Sequence, residues 1–190
     1  MRGESIGNMS WDILGGTNGS NDWARPAEIN TYLNSEYLKT LSNQNIVVTH
    51  SWSIGALEME NTDLSAQILA EKSRVWNGKI GLITVDEYLN ANTNVENCGN
   101  YHLNNLNRTS CLTTNWIYDI VPTNGYLFTI SPLINNIDTV FHINGTSSYA
   151  GNIGNYNANN SRGIVPVLYL SSNITLSGQG TENNPYVITN

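Results

Sequence analysis

This 190-residue sequence contains few charged side chains and no long hydrophobic run. Only 12% of its residues are charged, about half of the usual share, with 8 Lys plus Arg against 15 Asp plus Glu. Binding to nucleic acid or to anionic lipid depends on clustered cations, so we expect neither partner. A membrane-spanning helix needs about eighteen or more apolar residues in a row, so we expect no membrane insertion either.

Cysteine is also scarce, with only two in the chain. Cys98 and Cys111 are separated mainly by polar residues, and their spacing is not the Cys-x-x-Cys pattern of zinc and redox sites. A disulfide between them would stabilise the fold by about 3 kcal/mol in the chain-entropy account. We predict this disulfide, and with it an extracellular or cell-surface location. The alternative is two unrelated buried thiols.

Asparagine replaces the missing charge, at 31 of the 190 positions. Amide side chains hydrogen-bond water or ligands without creating long-range fields. A chain of this length can bury roughly 70% of its unfolded surface in one core. We therefore predict a single domain over residues 1–190, with its core over about residues 11–188.

Local patterns predict helices early in the chain. Apolar residues recur every three or four positions over residues 26–41 and again over residues 63–76. Thr84 and Glu87 have the spacing of a capping box, which predicts a short third helix over residues 84–91.

Short apolar segments bounded by turn residues predict strands, most of them late in the chain. These segments are residues 11–14, 46–48, 79–83, 126–130, 139–143, 164–170, 174–176 and 186–188. Early helices followed by antiparallel strands indicate an α+β fold, with the helices packed on a twisted antiparallel sheet.

Residues 149–162 are rich in Asn, Gly and Tyr and lie between two apolar segments. We predict an irregular, solvated loop there that binds a ligand, because these residue types also dominate antibody combining sites. Ordinary surface turns are the alternative. For Trp116 the favoured interpretation is a core position, and for Tyr126 the core and the binding surface are equally favoured. The predicted ligand-binding residues are Trp116, Asp119, Tyr126, Tyr149, Asn152, Asn155, Tyr156, Asn157, Asn159 and Arg162.

The order of motifs resembles a family of bacterial surface domains related to the C-type lectin-like fold. That fold also includes formylglycine-generating enzymes and the variable proteins of diversity-generating retroelements. The resemblance covers about residues 11–188. The matching segments are residues 29–37, 79–88, Cys111, 115–117, 127–132, 140–145, 163–170 and 178–186.

This resemblance implies display outside the cell, in Gram-positive surface or pilin-like proteins, and ligand binding. In the retroelement proteins a similar part of the fold carries the variable binding surface. The related domains have Gly-Val-Arg-Pro where this chain has Gly-Ile-Val-Pro at residues 163–166. The arginine of that pattern is missing, although Arg162 precedes it directly.

Catalytic and metal-binding interpretations are weaker. Cys98 and His102 could form a nucleophile–base pair only if the thiol were reduced and activated. Asp86 and Glu87 lie in the first turn of a predicted helix, where negative charge is favoured in any case. We therefore predict no enzyme.

We also predict no cofactor and no metal. The histidines at positions 50, 102 and 142 lack the spacing of a zinc site. Asn115, Asp119, Asn124 and Asp138 could supply some calcium ligands, but the sugar-binding tripeptides of calcium-dependent lectins are absent.

The sequence thus predicts a non-catalytic, adhesin-like module that binds a protein or glycan outside the cell. A structural subunit of a pilus or other surface appendage is the alternative, and self-assembly would accompany it. A surface hydrolase or modifying enzyme is less favoured. It would require a deep pocket lined with convergent carboxylates, or with His and Cys.

Overall fold

The computed structural model describes residues 4–25, 27–60, 63–94, 114–146, 149–180, 183–184 and 186–189. Helices precede most of the strands, and nearly all strand pairs are antiparallel, so the predicted α+β class is confirmed. Cys98, His102 and Cys111, and with them the predicted disulfide, lie outside the described residues.

The helices, in chain order, are α1 (Glu28–Tyr32), α2 (Leu38–Thr40), α3 (Leu64–Lys72) and α4 (Val85–Asn90). A π-helical turn (Leu33–Tyr37) joins α1 to α2, and 3₁₀ turns occupy Gln44–Ile46 and Tyr118–Ile120. The first six strands are β1 (Asn8–Ser10), β2 (Val47–Val48), β3 (His50–Ser53), β4 (Val75–Gly78), β5 (Ile80–Gly81) and β6 (Tyr126–Pro132). The last six are β7 (Thr139–Asn144), β8 (Ile153–Asn157), β9 (Ser161–Gly163), β10 (Val167–Leu170), β11 (Thr175–Ser177) and β12 (Val187–Thr189).

The helical segment from α1 to α2 follows the apolar repeat of the sequence. Ile29 and Leu33 are fully buried, as their spacing of one turn predicts. Asn34 ties this segment to β5, because its side-chain oxygen accepts the amides of Lys79 and Ile80 at 3.1 and 3.0 Å. The Asn34 side-chain nitrogen also donates to the Ile80 carbonyl at 2.9 Å. A single amide thus fixes the start of β5 against the helix.

Helix α3 is shorter than its prediction and differs from it in its buried face. The predicted helix continued to residue 76, but α3 ends at Lys72 and residues 75–78 form β4, paired with β3. The buried face carries Gln67 and Glu71, which are 4% and 1% exposed, whereas Leu69 is 70% exposed. Hydrogen-bond partners explain this reversal. Gln67 is held by the backbone of Glu58, which donates to its oxygen and accepts from its nitrogen.

The capping box of α4 is confirmed. Thr84 accepts the backbone amide of Glu87 at 3.0 Å, and the Glu87 carboxylate accepts the amide of Thr84 at 2.8 Å. Two otherwise unpaired backbone donors are satisfied in this way. The cap therefore fixes where α4 begins.

The largest sheet has five strands in the order β1-β9-β6-β7-β8. All of its pairings are antiparallel except the short parallel contact between β6 and β9 at Leu127 and Gly163. Smaller sheets have the orders β2-β10-β5, β3-β4 and β11-β12. The strands predicted near residues 46, 80, 126, 139, 167, 175 and 187 are thus confirmed, with shifted ends.

The strand predicted over residues 11–14 is wrong. The strand lies earlier, at residues 8–10, and Trp11 follows it in a bend. Trp11 is fully buried, and its indole nitrogen donates to the Thr129 carbonyl at 3.1 Å, whereas Leu14 is 69% exposed. The apolar run is therefore divided between a core anchor and a surface loop.

The irregular loop predicted over residues 149–162 is also wrong as secondary structure. Residues 153–157 form β8 at the edge of the five-stranded sheet, and residues 161–163 form β9. Ile153 pairs with Ile143 and Tyr156 with Val140. Pairing with an existing strand outweighs the weak strand propensity of Asn and Gly.

Two apolar clusters cover the two faces of the large sheet. One face contributes Phe128, Ile130 and Val140 to the cluster that holds Trp11 and Trp23. The opposite face contributes Leu127, Phe141, Ile143 and Ile153 to a second cluster, which holds Tyr88 of α4. Side chains alternate between these faces along each strand. Within the described ranges, no helix is long and apolar enough to span a membrane.

Candidate functional site

Three of the predicted site residues meet on one face of the large sheet. The guanidinium carbon of Arg162 lies 4.1 Å from the ring centroid of Tyr126 and 4.9 Å from that of Tyr156. Arg162 belongs to β9, Tyr126 to β6 and Tyr156 to β8. Attraction between a cation and an aromatic face contributes roughly 0.5–2 kcal/mol per contact. The two rings therefore hold the guanidinium in place. We call Tyr126, His142, Tyr156 and Arg162 the tyrosine–arginine cluster.

His142 completes this cluster from β7. Its ring centroid lies 4.9 Å from that of Tyr126, with the two planes nearly perpendicular. Burial, followed by the positive charge of Arg162, lowers the pKa of His142 to about 4, so the imidazole is neutral at pH 7. Its Nδ1 atom is buried and has no hydrogen-bond partner.

Gly154 makes room for this imidazole. A Cβ atom at Gly154 would lie only 2.9 Å from Nε2 of His142, closer than a side chain normally approaches. Gly154 is the direct partner of His142 in the pairing of β8 with β7. The glycine is therefore required by the close approach of a ring.

The cluster is partly open to solvent. Tyr156 is 48% exposed, and Tyr126 and Arg162 are half-buried. Nε of Arg162 is buried without a partner, and Nη1 makes only a long contact of 3.4 Å with the Ser161 carbonyl. The described part of the chain offers no carboxylate to Arg162.

The asparagines of the predicted site divide between several positions. Asn152 lies directly before β8, and its side-chain oxygen is buried without a partner. Asn155 and Asn157 alternate with Tyr156 and belong to the opposite face. They are not brought to the cluster.

Asn159 has a structural contact instead of a free amide. Its side-chain nitrogen donates to the Thr17 carbonyl at 2.9 Å, and its backbone amide donates to the Asn18 carbonyl at 3.0 Å. These bonds fasten the turn between β8 and β9 to the loop that follows Trp11. The prediction that Asn159 contacts a ligand remains untested, but its amide already has this role.

Trp116, Asp119 and Tyr149 are exposed at other positions. Trp116 is 63% exposed, so the favoured assignment of its side chain to the core is wrong. Asp119 lies in the 3₁₀ turn Tyr118–Ile120. Tyr149 is 54% exposed in a turn that Tyr88 supports by donating its hydroxyl to the Gly151 carbonyl at 2.9 Å. These three remain predicted ligand contacts outside the cluster.

Sequence reasoning missed a second group of ionisable side chains, in a cleft beside helix α3. The cleft holds about 110 Å³, and its walls include His50, Trp52, Glu71 and Asp86. Ligand pockets commonly enclose about 300–1,000 Å³. The cleft is therefore smaller than the deep pocket that an enzyme hypothesis would require.

Glu71 is the buried acid of this cleft. Its two oxygens accept the backbone amides of Val85 at 3.1 Å and Asp86 at 3.0 Å, and Ser131 donates its hydroxyl to the first of them. Burial raises the pKa of Glu71 to about 7, against the opposing effect of these hydrogen bonds. Because both oxygens already accept protein hydrogen bonds, we assign Glu71 to anchoring helix α4. The sequence signal that could have identified this role is the position of Glu71, an ionisable residue on the buried face of a predicted helix.

Two of the side chains considered as calcium ligands, Asn115 and Asp138, have hydrogen-bond partners within the protein. Asn115 donates to the Tyr88 carbonyl and accepts the amide of Ile117. Asp138 accepts from Asn18 and Thr139. Among the residues that the structure describes, no three His, Cys, Asp or Glu side chains are grouped for a metal ion.

Comparison with known proteins gives no matching family model, no similar curated protein and no similar solved structure. The assignment of function therefore depends on the geometry of this chain.

Proposed function

We propose that this chain is a ligand-binding module that works outside the cell, with a C-type lectin-like fold and an adhesin-like role. The observation that carries the proposal is the half-buried guanidinium of Arg162, held between Tyr126 and Tyr156. Aromatic and arginine side chains are the residues most enriched at binding hot spots. Here they stand together on a rigid sheet, partly open to solvent.

The chemistry of the cluster favours recognition over catalysis. Its arginine stays charged at any physiological pH, and its imidazole is neutral because the pKa of His142 is lowered to about 4. The tyrosines provide flat surfaces and hydroxyl groups. These groups can hold a protein or glycan ligand by stacking and hydrogen bonding.

The proposed location outside the cell depends on the predicted Cys98–Cys111 disulfide and on the motif resemblance. Intact-mass measurement of the denatured, unreduced protein should find two hydrogens fewer than the dithiol contains. Alkylation of two free thiols under the same conditions would contradict the disulfide and weaken the proposed location.

A glycan array combined with a protein-binding screen tests the binding function. Tyr156→Ala should weaken capture of any ligand by about tenfold or more, because truncation of a hot-spot residue costs about 2 kcal/mol or more. Tyr186→Ala is the matched control, since Tyr186 is 57% exposed on the segment that leads into β12, outside the cluster. Equal loss in both variants, or no ligand for the wild type, would refute the proposal.

A structural subunit of a surface appendage is the second candidate function. The β11–β12 hairpin favours it, because Leu176, Tyr186 and Val187 are about half exposed or more. Two-stranded hairpins are marginally stable unless another surface covers them. Mass measurement over a range of protein concentrations tests this role: self-association that Leu176→Ser abolishes would support it, and a monomer at every concentration would contradict it.

A further inference from the structure

Arg162 differs from most cations of the described chain in having no acidic partner. Arg25 pairs with Asp12, Lys39 with Glu36, Lys72 with Asp86 and Arg74 with Asp22. Arg162 instead faces two aromatic rings and has one long contact with a carbonyl. Its positive charge is therefore uncompensated by any carboxylate within the described ranges.

The surroundings of Arg162 contain further unpaired polar atoms. Nε of Arg162 and Nδ1 of His142 are both buried and without partners, and His142 is only 5% exposed. The side-chain oxygen of Asn152, directly before β8, is a third buried atom without a partner. An unsatisfied buried polar group is costly, and native proteins contain few of them. Their concentration beside an unpaired cation indicates a site built for a ligand.

The two rings determine how a ligand can approach the guanidinium. Tyr126 and Tyr156 lie against it at 4.1 and 4.9 Å, so access is along its edge. A planar carboxylate matches that edge, because it can accept two parallel N–H hydrogen bonds. A polyanion is disfavoured, since the chain carries a formal charge of −7 and Arg25, Lys39, Lys72 and Arg74 are already paired with carboxylates.

A sugar bearing one carboxylate suits the rest of the surface. Tyr156 is 48% exposed, so part of its ring can contact the apolar face of a sugar next to the carboxylate. The Asn152 amide lies directly before β8, the strand that carries Tyr156, and its side-chain oxygen has no partner. Sugar hydroxyls are both donors and acceptors, which matches an amide and the tyrosine hydroxyls.

Resting on the proposed binding function, we infer that the ligand is a carboxylated sugar whose carboxylate binds the edge of the Arg162 guanidinium between Tyr126 and Tyr156. The carboxylate supplies the counter-charge that the chain itself does not. The sugar ring lies toward Tyr156.

Titration of the isotope-labelled protein with methyl glucuronide, followed by NMR, tests this inference. Methyl glucoside, which has the same ring without the carboxylate, should bind at least about tenfold more weakly. Arg162→Gln should reduce glucuronide affinity by about tenfold or more, and Arg162→Lys should also reduce it because the planar edge is lost. The signals of His142 should shift on binding, since the carboxylate offsets the charge of Arg162. Thermal melting establishes that both variants fold, and Arg162→Lys decides the test if Arg162→Gln does not fold.

Other results would overturn the inference, the assignment to a sugar, or the proposed function. Equal binding of glucuronide and glucoside, or unchanged binding by both folded variants, would overturn the inference. Equal affinity for N-acetylglutamate would overturn the assignment to a sugar. A neutral ligand that needs Tyr156 but not Arg162 would overturn the inference and leave the proposed function standing. If the wild type captures nothing in the glycan and protein screens, both fail.

Discussion

Glu71 on helix α3 accepts a hydrogen bond from the Ser131 hydroxyl on strand β6, at a position where Glu71 is only 1% exposed. The same carboxyl accepts the amides of Val85 and Asp86 at the start of α4. One side chain therefore connects two helices and the central sheet. Because burial of this carboxyl raises its pKa, the protonation of Glu71 is part of the folding equilibrium.

Stability should fall as pH rises through the range in which Glu71 ionises. Burial raises the folded-state pKa to about 7 from an ordinary value of 4.5, so the folded protein keeps a proton that the unfolded chain has released. The free energy of unfolding of the wild type, relative to Glu71→Gln, should decrease by about 3 kcal/mol between about pH 4 and pH 8. Denaturant titrations at several pH values measure this difference. A difference independent of pH would contradict the raised pKa.

His142 should give the opposite pH dependence. The pKa of His142 is lowered to about 4 from an ordinary 6.5. Between these pH values the imidazole is protonated in the unfolded chain and neutral in the folded protein. The stabilisation is complete above about pH 6.5 and is lost as pH falls toward 4, by about 3 kcal/mol relative to His142→Gln. Between about pH 4.5 and 6.5 the effects of Glu71 and His142 on the free energy of unfolding should nearly cancel in the wild type. Glu71→Gln should then show stability that rises with pH, and a flat profile in that variant would refute the lowered pKa.

Gly154→Ala should destabilise the fold because of His142. The added methyl group would meet Nε2 at 2.9 Å, and overpacking of this kind costs about 1–3 kcal/mol. In a His142→Ala background the same substitution should cost less than about 0.5 kcal/mol, because the ring is gone. Thermal melts of the four proteins in this cycle measure the coupling. Equal costs in both backgrounds would show that the ring is not what requires glycine.

Two tryptophans should respond differently to the same substitution. Trp11→Phe should cost about 1–3 kcal/mol, because Trp11 is fully buried and donates to the Thr129 carbonyl at 3.1 Å. Trp116→Phe should change the free energy of unfolding by no more than about 0.5 kcal/mol, since Trp116 is 63% exposed. Urea titration gives both values. A cost at Trp116 similar to that at Trp11 would contradict its surface position.

Short sequence patterns correctly predicted the helical elements that depend only on neighbouring residues. The apolar repeat around Ile29 and Leu33 and the capping box at Thr84 depend on residues within one or two turns. The end of α3 was missed because Val75 and Trp76 pair with β3, which is a tertiary contact. Strand β8 was missed for the same reason, since its Asn and Gly residues favour turns until β7 offers a partner.

The candidate site was likewise predicted only in part from the sequence. Tyr126, Tyr156 and Arg162 were identified by residue type, because exposed aromatics and arginine commonly serve recognition. His142 was overlooked because no local pattern reveals that its ring lies beside Tyr126 and against Gly154. Asn155 and Asn157 were grouped with Tyr156 because a loop has no faces, whereas a strand has two.

Strand β9 has a further consequence for how the protein folds. On one side it pairs with residues 8–10 near the start of the sequence, and on the other it meets β6 at Leu127. The position of Arg162 therefore depends on closing a chain loop that runs from residues 8–10 to residues 161–163. Such distant pairings slow the search for the native topology. During synthesis, the cluster can assemble only after Arg162 has left the ribosome.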